Sequence, residues 1–273
     1  MAKRRNLMLL SLVATLIFGV MSVGLSSTNA AGNYTYKKVT KTVEKGSVVL
    51  HIIETSPSNI KFETLNETKA LKDTSYIGIN GGFFTSGNTE PSTNKIKTHN
   101  IAINNGAPII PAIKGKEKEV ANNGWYNMGK SGTIIWDHKS KKFIYGVVGN
   151  GWDVNTLVGH SNYWAQGGIS MAIGDKNWRT TANGEGLNKF QPDSKTKRTG
   201  MVYSGSKVHL IVSDQGETAS DFRAAIEKEY GSSAKGIFLD GGGSSELRAV
   251  NDKDKAITVT GTTRKLVQII TVK

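Results

Sequence analysis

Three neighbouring segments decide the fold: Lys207-Val208-His209-Leu210-Ile211-Val212-Ser213, then Thr218 through Tyr230-Gly231, then Gly236-Ile237-Phe238-Leu239-Asp240-Gly241-Gly242-Gly243-Ser244-Ser245. The first is a near-continuous apolar run, the pattern of a strand buried on both faces. Thr218-Ala219-Ser220-Asp221 is a helix-capping sequence, the helix runs to about Tyr230, and Gly231 stops it. Gly236 to Leu239 is a second strand. Strand, helix and strand make a βαβ crossover. Its two strands are expected to run parallel, with Asp214 and Asp240 just past their carboxyl ends, the edge where open α/β sheets bind ligands.

Working outward, Leu266 to Val272 reads as a last strand completing that sheet, and Thr199 to Tyr203 as a strand before it. Upstream, Ser47–Ile53 and Ile60–Leu65 read as a hairpin closed by Ser56-Pro57-Ser58-Asn59. A short helix is expected from about Asn66 to Lys72, then a buried strand, Tyr76-Ile77-Gly78-Ile79, broken at Asn80-Gly81-Gly82. Asn104-Asn105-Gly106 is a strong hairpin turn within Thr98–Ile110. Gly132–Trp136 and Phe143–Val148 form further strands. The fold class is therefore α/β: a single domain over residues 31–273, a central mixed β-sheet flanked by helices, with a C-terminal βαβ unit. All five tryptophans, Trp125, Trp136, Trp152, Trp164 and Trp178, fall in the middle region. One or two are expected to touch ligand and the rest to pack.

Residues 1–30 have the form of a secretory signal peptide: Lys3, Arg4 and Arg5, an apolar run from Leu7 to Val20, and small residues up to Ala30. An uncleaved anchor is the weaker reading, because Ser11, Thr15, Gly19, Ser22 and Gly24 interrupt a run already marginal for the roughly 20 residues that span a bilayer. The chain has no cysteine, which excludes disulfides and a lipoprotein anchor, so the exported domain depends on its core. Without the three basic residues of the leader, 32 Lys and Arg face 22 Asp and Glu, a net charge of +10. Attraction to anionic phosphodiester polymers at a cell surface is one reading of that charge. General solubility with weak wall adhesion is the other. The expected setting is secreted, extracellular or cell-wall associated, with no nucleic acid as partner and no membrane after cleavage. Oligomeric state is left open.

The chemistry concentrates where an apolar strand delivers Asp240 into Gly241-Gly242-Gly243-Ser244-Ser245. Glycines let backbone N–H groups approach an anion, and serine hydroxyls add donors. A tight turn capped by Asp240 is the structural alternative. Asn80-Gly81-Gly82-Phe83-Phe84 is a second glycine motif at a strand end, in which Asn80 either bonds a ligand or serves the turn. Arg198, after Lys195 and Lys197, is placed to clamp a phosphate bidentately, although basic loops are usually just solvated. No metal site is expected, because His51, His99, His138, His160 and His209 lack ligand spacing. No cofactor is expected either. A divalent cation such as calcium or magnesium on the oxygens of Asp240 and Asp214 stays open, since no motif reveals hard-cation ligands. The glycine loop lacks the Lys of a P-loop.

Taken in order, Asn80-Gly81-Gly82-Phe83-Phe84, Gln166-Gly167-Gly168, Arg198-Thr199-Gly200 and Leu239-Asp240-Gly241-Gly242-Gly243-Ser244-Ser245 resemble the phosphodiester glycosidase family over most of the chain, from about Gly46 onward. The resemblance implies an α/β fold, an extracytoplasmic setting and a substrate-binding role for Asn80, Gly81, Gly82, Gln166, Gly167, Gly168 and Gly241 to Ser245. This chain departs from the pattern in having Asp214-Gln215-Gly216 where Asp-Gly is usual and Arg198-Thr199-Gly200 where Arg-Thr-Ala is common. Sugar C1–O cleavage passes through an oxocarbenium-like state that carboxylates stabilise or attack. A phosphodiester leaves as a stable anion, so a cationic or N–H-rich cradle matters more than a proton donor. Asp240 is the candidate nucleophile or base, Asp214 or Glu246 its partner, and Arg198 the anion clamp. The expected activity is hydrolysis of sugar-1-phosphodiester bonds in teichoic acids, capsular polymers or exopolysaccharides. A non-catalytic wall-glycan-binding module and a self-associating matrix protein are the alternatives.

Overall fold

The structure, a computed structural model, describes residues 26–28, 33–85, 98–110 and 123–273. The expected signal peptide and its cleavage site lie outside the described residues, apart from Ser26–Thr28. Among the described residues the strands are β1 (Ser26–Thr28), β2 (Tyr34–Val43), β3 (Gly46–Thr55), β4 (Ile60–Thr64), β5 (Ile77–Asn80), β6 (Ala102–Asn104), β7 (Ala107–Pro108), β8 (Tyr126–Asp137), β9 (Lys142–Asn150), β10 (Tyr163–Gly167), β11 (Ile169–Ser170), β12 (Thr199–Ser204), β13 (Lys207–Ser213), β14 (Lys235–Phe238), β15 (Glu246–Val250), β16 (Ala256–Thr260) and β17 (Gln268–Val272). The helices are α1 (Gly151–Val158), α2 (Trp178–Gly184) and α3 (Ala219–Tyr230). They build a seven-stranded sheet ordered β1-β2-β3-β13-β12-β14-β11 and two five-stranded sheets, β7-β6-β10-β8-β9 and β16-β15-β5-β17-β4.

Period-two alternation explains how the large sheet is buried on both sides. Ile53, Met201, Leu210 and Ile237 face the β16-β15-β5-β17-β4 sheet and meet Phe62, Ile79, Leu247 and Ile270. Their sequence neighbours Ile52, Val202, Ile211 and Phe238 face the other way, onto Phe222, Ala225 and Ile226 of α3. Burying each such side chain contributes roughly 1.5–3 kcal/mol. Thr218 caps α3 by accepting from the Asp221 N–H at 3.0 Å, and Gly231 ends it with φ +78°, as the sequence predicts.

The single domain combining sheets and helices is as expected, and its internal wiring differs in four places. β13 and β14 do run in the same direction, but β12 lies between them and is antiparallel to both, so the crossover is split. Ser47–Ile53 and Ile60–Leu65 are not a hairpin: β3 pairs with β2 and β13, whereas β4 pairs with β17 in another sheet. Pro57 opens a 3-10 turn there, flanked by extended Ser56 and Ile60, and this carries the chain across to the next layer without turning it back. The helix expected at Asn66–Lys72 shrinks to a 3-10 turn at Leu71–Asp73, because Asn66 and Glu67 sit at φ +50° and +53°, outside right-handed helical space. Finally, β17 completes the sheet of β4 and β5, not that of β14.

Candidate active site

The edge of the large sheet where β12 begins and β13 and β14 end carries the chemistry. Pairing Ser213 to Arg198 (N···O 2.9 Å) and Leu239 to Thr199 (2.9 Å) brings Asp214, Arg198 and Asp240 to that one edge. Beside it opens a cleft of about 300 Å³ lined by Arg198, Asp240, Gly241, Gly242 and Gly243, with Phe83 and Phe190 as apolar walls. Lys189 and Arg264 also reach it.

Asp240 is half-buried on the cleft wall. Burial pushes its carboxyl up to about 6, partly offset by a hydrogen bond from Ser244, the charge of Arg264 and the Gly241 N–H. Arg264 donates to the Ser244 hydroxyl at 3.1 Å, so Ser244 links the exposed guanidinium to the carboxyl. Arg198 is 6% exposed, and burial lowers its guanidinium to about 10, which leaves it charged at neutral pH. Its Nε donates to Glu217 O at 2.9 Å and its Nη2 to Gln191 O and Ser194 O at 2.9 and 2.6 Å. Among the described residues no carboxylate lies within ion-pair distance of it. Arg198 is thus a buried cation held by carbonyls and without an ion-pair partner at the wall of the cleft.

The glycine loop works differently from the expected N–H cradle. Gly242 N–H donates to Lys197 O, Ser244 N–H to Gly241 O and Ser245 N–H to Gly242 O, while Gly241 N–H serves Asp240. The loop therefore turns most of its donors inward. Its contribution is shape: Gly242 takes φ +61°, and three residues without side chains leave Asp240 and the cleft open. The positive potential comes from Arg198, Arg264 and Lys189 instead. Arg264 follows Gly261-Thr262-Thr263 with no motif around it, and sequence reading missed it. Only its pairing with Ser244 in three dimensions marks it.

The remaining candidates are brought near but stand behind the cleft. Asn80, 1% exposed, donates from Nδ2 to Asp240 O at 2.8 Å, while its Oδ1 accepts from Thr199 Oγ1 and from Glu246 N, both at 2.9 Å. Its amide is engaged in holding three strand ends together. Gln166 Oε1 accepts from Gln268 Nε2 at 2.5 Å, and Gln268 Oε1 accepts from Gly82 N at 3.0 Å, a buried chain linking two sheets. Gly81, Gly82, Gly167 and Gly168 pack so closely on Gln268, Asn100, Asn127 and Phe238 that no side chain fits. Ser245 is buried, its hydroxyl 3.0 Å from Thr199 Oγ1, to which it donates because the single Thr199 hydroxyl proton goes to Asn80.

Neither expected carboxylate partner lines the cleft. Asp214 Oδ2 pairs with Lys38 Nζ at 2.9 Å and Oδ1 with His51 Nε2 at 3.1 Å; Lys38 foremost, with His51, holds its carboxyl below the usual range. Glu246 is 1% exposed, and its Oε2 accepts from Leu71 N at 2.5 Å, capping the 3-10 turn in another layer. Burial raises it to about 7. Among the described residues no group of three or more His, Asp or Glu is arranged to hold a metal, and Asp214, engaged by Lys38, does not line the cleft with Asp240. No tryptophan lines the cleft.

The sequence profile described as phosphodiester glycosidase matches residues 73–273. No curated protein sequence matches the chain. Among solved structures, the catalytic domain of zebrafish N-acetylglucosamine-1-phosphodiester alpha-N-acetylglucosaminidase, auto-inhibited by its pro-peptide, superposes with a TM-score of 0.60 at 12% identity, covering 91% of this chain and 87% of that one. A hypothetical protein from Synechocystis gives a TM-score of 0.60 at 11% identity over 88% of this chain and 62% of that one. At such identities the likeness is one of fold.

Proposed function

We propose, since the chain belongs to the phosphodiester glycosidase family, that it hydrolyses the bond between a sugar C1 and a phosphodiester oxygen in an anionic glycan outside the cell. The observation that carries this reading is the buried, carboxylate-free guanidinium of Arg198 across one cleft from Asp240, whose carboxyl titrates near 6. As the C1–O bond breaks, its electron pair stays on the phosphate oxygen, and Arg198 and Arg264 neutralise the departing anion. Asp240, ionised above its pKa, takes the proton of the attacking water or attacks C1 itself. Among the described residues the cleft offers no second carboxylate, which favours the role of base toward water. A leaving group that needs no proton makes one carboxylate sufficient.

Export is supported by the form of residues 1–30, and a teichoic acid, capsule or exopolysaccharide is the polymer class that a basic exported protein meets. The test is release of free sugar by the purified domain from a chromogenic sugar-1-phosphodiester, set against the matching neutral glycoside. Turnover of the phosphodiester alone supports the reading. Equal turnover of both removes the anion clamp, and binding without turnover identifies a glycan-binding module.

A further inference from the structure

Away from the cleft, at the opposite end of β12, lies a second concavity of about 340 Å³ that the proposed chemistry does not use. It is formed where the β8–β9 turn meets the β12–β13 turn, and its walls are Trp136, Phe143 and Tyr203 with Lys141 and Lys142 at the rim. Phe143 stacks on Tyr203 with centroids 4.4 Å apart and on the other side meets Trp136 at 4.8 Å. Trp136 is buried in the core behind them, whereas Phe143 and Tyr203 are only partly buried, so these two rings supply the exposed aromatic surface of the concavity. Gly205 and Ser206 keep the facing turn low.

Charge surrounds this wall asymmetrically. Lys139, Lys141 and Lys142 come from one turn, while Lys207 opens β13 and Lys235 pairs across β14 with Tyr203. None of the five makes an ion pair with a carboxylate among the described residues. The one acidic side chain in the turn, Asp137, is occupied by Ser140, Lys139 N–H and His160. An apolar aromatic wall next to uncompensated ammonium groups is a recognition surface for a ring with an attached anion.

We infer that this concavity is a secondary binding site for a sugar-phosphate unit of an anionic glycan, the sugar ring against the exposed parts of Phe143 and Tyr203 and the phosphate on Lys141 and Lys142. It rests on the proposed function only for the chemistry of the polymer. β12 connects the two sites, and the seven residue steps from Arg198 to Gly205 separate them by roughly 23 Å at about 3.3 Å each. One polymer held at both points gains effective concentration at the cleft that a small substrate cannot.

The experiment uses the full mature domain carrying Asp240→Asn, so that binding is read without turnover. The probes are a glycosylated poly(glycerol phosphate), inorganic polyphosphate and neutral dextran, each titrated by calorimetry. The double variant Lys141→Glu/Lys142→Glu, whose lysines are exposed, is expected to weaken binding of the glycosylated polymer at least tenfold, and Tyr203→Ala at least fivefold. In the Asp240-intact background the lysine variant should keep kcat/KM on a small sugar-1-phosphodiester within twofold. Unchanged affinity for the glycosylated polymer in the lysine variant overturns the site. Polyphosphate binding as tight as the glycan's, with Tyr203→Ala inert in a folded protein, reduces it to a plain basic patch and also overturns it. If Tyr203→Ala does not fold, Tyr203→Leu, which keeps apolar volume and loses the ring, decides the aromatic part in its place. Failure of the cleft reading shows separately, as absence of turnover on the small phosphodiester with the polymer-binding losses intact.

Discussion

At the scale of single residues, two carboxyls with raised pKa values do opposite things. Asp240 faces the cleft, so Asp240→Asn is expected to lower kcat by a hundredfold or more with an unchanged circular dichroism spectrum. Because Asp240 acts ionised, kcat/KM should fall tenfold per unit below about pH 6 and be flat above it. A rate that rises as pH falls would make Asp240 an acid. Glu246 is sealed in the core with Oε1 lacking any partner among the described residues, and its folded pKa of about 7 exceeds its ordinary 4.5. A raised acid favours the fold while protonated, so this stability is full below about pH 4.5 and is lost as pH rises through 7. Glu246→Gln removes the charge, and melting temperature at pH 8 should rise while turnover is retained, the stabilisation being on the order of 2–3 kcal/mol. A loss of turnover without unfolding would return Glu246 to the chemistry. Sequence alone could not sort these acids, since Asp240 and Glu246 stand at the two ends of one short loop, Glu246 opening β15. Sorting them takes knowledge of which side of the loop each faces.

At the scale of elements, the sheet edges depend on backbone contact that only glycine allows. A Cβ on Gly168 would press into the carbonyl oxygen of Phe238. Gly168→Ala should therefore force β11 from β14 and destabilise by about 1–3 kcal/mol, a fall of several degrees in melting temperature measured by calorimetry. An unchanged melt would mean that the sheet yields there. The elements themselves were readable where local rules are strong: the Thr218 cap, the Gly231 stop, the Asn104-Asn105-Gly106 turn and the two strands at Gly132–Trp136 and Phe143–Val148 all appear. Pairing between distant elements was not. β12 inserts between β13 and β14, and β3 and β4 part into different layers, because apolar strands buried on both faces carry no mark of their neighbours. For the same reason Arg198 and Asp240 could be named as cleft residues from their motifs, whereas Asn80 and Gln166, also in motifs, are braces behind it. Glycine-flanked polar residues look alike whether they meet a ligand or another strand.

At the scale of the whole molecule, charge governs how substrate arrives. With 32 basic against 22 acidic residues from residue 31 onward, kcat/KM on a polymeric anionic glycan should fall steeply between 50 and 500 mM salt, as the Debye length shrinks from the roughly 10 Å it has near 0.1 M. A small sugar phosphodiester, sampling chiefly Arg198 and Arg264, should respond less. Flat profiles for both would detach the basic surface from capture. The molecule also has a timing built into its topology. Asn80 ties the end of β5 to Asp240 and Glu246, and β17, the last strand, seats between β4 and β5 by pairing with residues 60–64 and 77–80. Contacts that join positions some two hundred residues apart form late. A chain delivered amino end first thus carries no finished cleft until β17 slots home between β4 and β5.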